Sequence, residues 1–138
     1  MQDREIVRSH LGDLKHDVGL LLFTQTIGGP ETGPIAKQIL DELSGLSERI
    51  SVEEVNVVLD KERASRFNVD KIPAIVVLSD GEDTRIRFFG APAGYEFMSL
   101  VEAVILAGGD DSGLSDESKK LIAAVEQPTA IEVFVTPT

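Results

Sequence analysis

Chemistry in this chain has to be done with very little. Its 138 residues include two histidines, His10 and His16, and no cysteine, so disulfides, thiolate metal sites and cysteine nucleophiles are all absent. The histidines lie six residues apart, off a common helical face, and no carboxylate-rich pattern around them completes a metal site, so both are expected to be solvent-exposed. The acidic clusters Asp80-Gly81-Glu82-Asp83, Asp110-Asp111 and Asp116-Glu117 lack the spacing of a calcium loop and read as solvated turns and helix starts. Tyr95, with Glu96 beside it, opens an apolar segment and reads as a packing aromatic with its hydroxyl at the surface. No nucleophile–base pair emerges, so no catalytic residue, metal ligand or cofactor site is expected.

Two backbone features remain. The stretch Gly28-Gly29-Pro30-Glu31-Thr32-Gly33 leads into a helix whose free N–H groups could attract an anion. Glu31 opposes that, and the Gly-Lys-[Ser/Thr] ending of a phosphate loop is missing, so the stretch reads as turn and cap. Pro73, in Ile72-Pro73-Ala74, opens an apolar run, one of the few strand positions proline tolerates.

The elements that position these features follow from periodicity. Val7, Leu11 and Leu14 predict an amphipathic helix over residues 3–15, and Val18 to Phe23 a central strand buried on both faces. Pro34 suits a first helical position, followed by the stripe Ile35, Ile39, Leu43, Leu46. Ile50 to Leu59 reads as a second strand, Asp60 as the cap of a short helix over 61–67, and Ile72 to Leu78 as a third, buried strand. The turn Ser79 to Asp83 carries an Asp-Gly hairpin signal before a strand from Arg85 to Phe89. Residues 95–107 form a largely buried helix stopped by Gly108-Gly109. After the polar link Asp110 to Gly113, Ser115 caps a helix ended by Gln127-Pro128, and Ile131 to Val135 reads as one more strand.

Thirteen Lys and Arg against 24 Asp and Glu give a net charge of −11, which repels nucleic-acid phosphates and anionic lipid. No apolar run approaches the roughly 20 residues of a membrane span, and the N-terminus lacks the apolar region of a signal peptide, so a cytoplasmic location is expected.

The order of elements, with a proline opening the hairpin, is that of the thioredoxin fold, and particular segments carry the resemblance further. Arg87-Phe88-Phe89-Gly90-Ala91-Pro92-Ala93-Gly94-Tyr95-Glu96-Phe97 closely resembles the R-[YF]-F-G-x-P-x-G-[HY]-E-F segment of the two-unit, glutaredoxin-like protein disulfide oxidoreductases, and a related segment occurs in the N-terminal domain of alkyl hydroperoxide reductase flavoproteins. Asp116 to Lys119 through Val133-Phe134-Val135-Thr136-Pro137-Thr138 looks like the linker helix and first strand of that family's C-terminal unit. The resemblance implies an α/β, thioredoxin-like fold (βαβαββα, a mixed four-stranded sheet flanked by helices), with an extra N-terminal helix and a C-terminal linker helix plus lone strand. Residues 1–109 would be one thioredoxin-like domain, and residues 110–138 the beginning of a second unit that continues past Thr138 into a Cys-x-x-Cys motif.

In many members the first unit also carries Cys-x-x-Cys, and the helix register places Pro30 and Gly33 on its two cysteine positions. The resemblance further implies a cis Ile72–Pro73 bond beside that loop, with Ile72, Pro73 and Thr24 as substrate-binding positions; a rigid turn kept for folding is the simpler reading of Pro73. Two functions stay open. One is a non-catalytic structural or substrate-docking unit of a disulfide oxidoreductase, with the C-terminal unit of the same chain and peptide or protein disulfides as partners. The other is a stand-alone peptide-binding or assembly module. Residues 131–135 are expected either to join an edge of their own sheet or to pair with another copy in a homodimer.

Overall fold

The computed structural model describes residues 2–136, with side chains from residue 4 onward. Helix α1 (Gln2–Leu11) turns Val7 and Leu11 inward and ends where the Gly12 N–H reaches back to the Arg8 and Ser9 carbonyls, four residues before the predicted end. Strands β1 (Val18–Thr24), β2 (Ile50–Asn56), β3 (Ala74–Ser79) and β4 (Glu82–Phe89) form one sheet in the order β2-β1-β3-β4. β1 runs parallel to β2 and antiparallel to β3, and β3 pairs antiparallel with β4. The continuous apolar run of β1 follows from its central place in a sheet covered on both faces, with Leu20 and Leu22 packed on one side and Leu21 and Phe23 on the other.

One face of the sheet, with Leu20, Leu22, Ile75 and Val77, packs on α1, on α2 (Thr32–Ser44) through Ala36, Leu40 and Leu43, and on α4 (Tyr95–Ala107) through Leu100, Val101 and Val104. The other face, with Leu21, Phe23, Val55 and Val76, is covered by the short α3 (Lys61–Arg66) and by Phe67 just after it. Arg87 ties α3 down from β4. Its guanidinium donates to the Phe67 carbonyl at 3.2 Å and lies 6.0 Å from the Phe67 ring centre, while Asp83 takes both its NH groups.

Several boundaries differ from the periodicity for local reasons. β2 stops at Asn56 because the Asn56 side-chain oxygen accepts the N–H groups of Val58 and Leu59, turning the chain out and exposing both residues. α2 starts two residues earlier than predicted, so Pro34 is third in the helix, still within the turn whose N–H groups have no helical partner. β4 also starts three residues earlier, since Asp80 and Gly81 alone make the turn with φ of 46° and 83°, the two positive values a two-residue hairpin turn requires. A bulge then absorbs the extra residues, with Arg85 at φ 68°.

Beyond α4, Ser115 caps α5 (Asp116–Ala123) by accepting the Ser118 N–H at 3.1 Å, yet no α5 residue is buried. The strand expected at 131–135 is not formed. Residues 131–136 take no part in the sheet and add to neither of its edges, and without a neighbouring backbone the alternation of apolar side chains has nothing to organise. Among the described residues no helix is long and apolar enough to cross a membrane.

Candidate functional site

Thr24 ends β1 in a buried position, and the pairing of Phe23 with Ala74 sets it level with Pro73 at the start of β3. The loop that follows folds back tightly. The Gln25 side-chain amide donates to the Ile27 carbonyl at 2.8 Å, Gly28 has φ 73°, and a Cβ on Gly29 would stand 2.0 Å from the Gln25 carbonyl oxygen, so only glycine fits there. The Pro30 carbonyl accepts the Gly33 N–H at 3.1 Å, closing the tetrad Pro30-Glu31-Thr32-Gly33 into one turn. Pro30 is exposed and Gly33 buried, and a Cβ on Gly33 would meet the Thr24 methyl at an ordinary 3.9 Å. Glu31, before α2, makes no side-chain cap, so the helix start keeps its positive end open. This is the setting that lowers a thiol's pKa, without the thiol.

Across from this loop the Ile72–Pro73 bond is cis and Pro73 is buried. The Pro73 carbonyl accepts the Gly90 N–H at 2.8 Å, and Gly90 adopts φ 87° to make that approach. Gly94, with φ 62°, then launches α4. The segment from Arg87 to Phe97 is thereby explained as scaffold: Arg87 anchors α3, Gly90 seats the proline turn, and Phe97 packs on the core. Ile72 is half-buried, and its own N–H and C=O find no hydrogen-bond partner among the described residues. The Thr24 hydroxyl, in contrast, is committed to Glu54 at 3.0 Å and its carbonyl to the Val57 N–H. The Thr24 hydroxyl and carbonyl are therefore both taken, while the Ile72 backbone stays open among the described residues.

Sequence reasoning missed the rim, and it took Tyr95 for a packing aromatic although the whole ring stands out at the open start of α4. Ile27, Leu59 and Tyr95 are more than four-fifths exposed, and Ile35, Phe89 and Val58 are about half exposed, all in loops or element ends on this end of the sheet. The available signal was apolar residues standing alone among turn residues, as in Thr26-Ile27-Gly28 and Gly94-Tyr95-Glu96. Exposed apolar residues of this kind mark contact surfaces when they gather.

The opposite end of the sheet corrects the reading of His16 as a solvent-exposed histidine. It is half-buried, its Nδ1 2.7 Å from Asp80 and its Nε2 2.5 Å from Asp110, and these two carboxylates raise its pKa, Asp110 more than Asp80. They were invisible to a local pattern because they lie 64 and 94 residues away in sequence. His10 is exposed, with Nδ1 against the Ile6 carbonyl at 2.7 Å. Among the described residues no group of three His, Asp or Glu side chains is arranged to hold a metal ion.

A parallel β-α-β unit, an antiparallel hairpin, a packing helix and a cis-proline level with the loop before α2 together decide the architecture. The chain is a thioredoxin-fold unit. It is similar to the N-terminal N/C domain of alkyl hydroperoxide reductase AhpF from Enterococcus faecalis, with a TM-score of 0.83 and 27% identity over 91% of this chain and 60% of that one. A protein disulfide oxidoreductase from Aeropyrum pernix shares the fold, with a TM-score of 0.76 and 24% identity over 89% of this chain and 53% of that one. Among curated proteins, the AhpF component of alkyl hydroperoxide reductase from Staphylococcus aureus is 29% identical over 133 residues, 88% of this chain and 24% of that protein. A protein named NADH dehydrogenase from Ferdinandcohnia aciditolerans is 35% identical over 91 residues, 66% of this chain and 15% of that protein. The thioredoxin-fold unit thus spans about a quarter or less of these curated relatives, which are larger chains. No protein-family model matches it.

Proposed function

We propose that this thioredoxin-fold unit is a non-catalytic docking unit of a larger redox protein of the thiol–disulfide class, and that it holds an extended peptide segment against Ile72 without exchanging disulfides with it. The observation that carries this reading is the pairing of a retained frame with a missing reagent. The closed turn Pro30–Gly33, the open start of α2 and the cis-proline edge are all present, while the chain has no sulfur to attack a disulfide. The unpaired N–H and C=O of Ile72 can bond an extended backbone as one more strand would, and the apolar rim of Ile27, Leu59 and Tyr95 would flank it. The larger relatives, a hydroperoxide reductase component among them, support a second unit in the same chain, and the exposed apolar side chains of α5 and residues 131–135 support it as their cover. Residues 1–109 are then the unit proper and residues 110–138 belong to the junction. The alternative of pairing 131–135 between two copies predicts a dimer by sedimentation.

Titrating the isotopically labelled chain with extended peptides tests the docking reading by NMR. Shifts centred on Ile72, Pro73, Gly33 and Tyr95 are expected, and shifts elsewhere or none would overturn it. An insulin-reduction assay with dithiothreitol should match the protein-free blank. Introducing Pro30→Cys with Gly33→Cys should give a reversible disulfide, since α-carbons bridged by such a turn fall within the roughly 4.4–6.8 Å a disulfide needs.

A further inference from the structure

At the end of the sheet away from Pro73, three segments distant in sequence converge on one imidazole. Lys15 and His16 both donate their backbone N–H groups to the Gly108 carbonyl, at 2.7 and 3.1 Å, so the loop before β1 is bound to the end of α4. The approach is close by construction, because a Cβ on Gly108 would fall 2.5 Å from the Leu14 side chain. From this seat the two ring nitrogens of His16 face in different directions, Nδ1 to Asp80 in the β3–β4 turn and Nε2 to Asp110 at the start of the linker. Carboxylates only accept, and a neutral imidazole carries one N–H. Both bonds can be made together only by the imidazolium.

We propose that His16 is a pH-sensitive clip: as an imidazolium it fastens the linker after α4 to the base of the sheet, and on losing a proton it releases that linker. The side that lets go is Asp110. Asp80 is fixed independently, its carboxylate accepting the Asp17 N–H at 2.9 Å and its own N–H bonding the Asp17 carbonyl at 2.8 Å. Among the described residues Asp110 has one other partner, the largely exposed Lys15 ammonium at 3.0 Å. Two further charges lie beside this cluster, Asp17 in the same loop and Arg49 before β2, which pair with each other at 3.1 Å. When His16 is neutral, three carboxylates face two cations, and the ring's bare nitrogen repels whichever carboxylate it faces.

The hold reaches beyond Asp110. Asp111 pairs with Lys119 of α5 at 3.1 Å, so the start of the linker is coupled to the helix it carries. The clip therefore sets the direction in which α5 and the tail leave the body, and this does not depend on the docking reading of Ile72.

The pH window follows from the signs. His16 is raised above its ordinary value by its two carboxylates, so its contribution is fully present below that ordinary value and is lost as pH rises through the raised one. Asp80 is lowered first by the Asp17 N–H and then by His16, and Asp110 first by His16 and then by Lys15, so they keep the clip closed until pH falls below the usual carboxylate range. The clip is closed between the usual carboxylate range and the ordinary imidazole value, and opens as pH rises through the raised His16 value.

An NMR titration of the full chain between about pH 5 and about pH 9 tests this, following the His16 ring and the amides of residues 110–115. The expected result is a His16 midpoint above that of the unfolded chain, with the linker amides shifting and exchanging faster on the same midpoint. Asp110→Asn should lower the His16 midpoint and abolish the pH dependence of the linker amides, and Asp80→Asn should lower the midpoint as well. If Asp80→Asn disturbs the hairpin, the wild-type curve and Asp110→Asn still decide. Linker amides indifferent to His16 ionisation, or a His16 midpoint no higher than in the unfolded chain, would overturn the clip.

Discussion

Helices α4 and α5 are adjacent in sequence and opposite in situation. Both follow a glycine-containing stretch and both carry apolar side chains at helical spacing. α4 buries Leu100, Val101, Ala103, Val104 and Ala107, whereas α5 buries nothing and leaves Leu121 and Ile122 more than half exposed, as is Val125 just beyond it. Helix formation is a local event, started at α5 by one hydroxyl on Ser115. Burial depends on whether another element presents a matching face, and α5 has none within the described chain. The tail repeats the lesson, because an alternating apolar segment at 131–135 becomes a strand only beside another strand.

The comparison is most severely tested in the body. Leu100→Ala removes a fully buried side chain and should cost about 2–5 kcal/mol in urea unfolding. A loss below about 1 kcal/mol would mean that α4 is no better packed than α5. Next comes Gly29→Ala, where the new Cβ meets backbone at 2.0 Å and the loop must move, at a cost of about 1–3 kcal/mol with amide shifts concentrated at residues 25–33.

Asp83→Asn should be milder. Arg87, and then the Arg85 N–H, hold the Asp83 carboxyl down to about 2, against the opposing effect of burial, so the ion pair stabilises the fold above the ordinary carboxylate value and is lost as pH falls towards 2. The full shift would correspond to about 2 kcal/mol, and a pair open to solvent retains about 1 kcal/mol of it after screening. The variant should therefore lose about 1 kcal/mol at neutral pH and show a flatter stability profile between about pH 4 and about pH 2. A profile parallel to wild type would show that the Arg87 anchor does not rely on Asp83.

The smallest effect belongs to the tail. Leu121→Ala should change stability by no more than about 0.5 kcal/mol in this chain, by thermal unfolding. A loss above about 1 kcal/mol would place α5 against the body and remove the contrast with α4.

Legibility in the sequence followed the range of the interactions. β1, α4, the Ser115 and Asp60 caps and the Asp80-Gly81 turn rest on neighbours a few residues apart, and their patterns were readable. The early end of β2 was harder, since Asn56 stops the strand through a side-chain bond that leaves the apolar run Val57-Val58 looking like more strand. For the candidate site, the turn at Pro30–Gly33 and the cis Ile72–Pro73 bond were expected through motif resemblance. The commitment of Thr24 to Glu54 and the gathering of the apolar rim were not, because they depend on which loops meet at one end of the sheet.

By itself the sequence determined the order of elements from α1 to α5, the two-sided burial of β1 and the absence of cysteine from these 138 residues, all of them properties of composition and spacing along the chain. Tertiary structure alone decided that Asp80 and Asp110 share one imidazole, that the Pro73 carbonyl is bonded while the Ile72 backbone stays open, and that α5 forms without being buried. The physical reason is the same in each case: a hydrogen bond or a packed face needs a partner at about 3–4 Å, and only the folded sheet brings residues tens of positions apart to that distance.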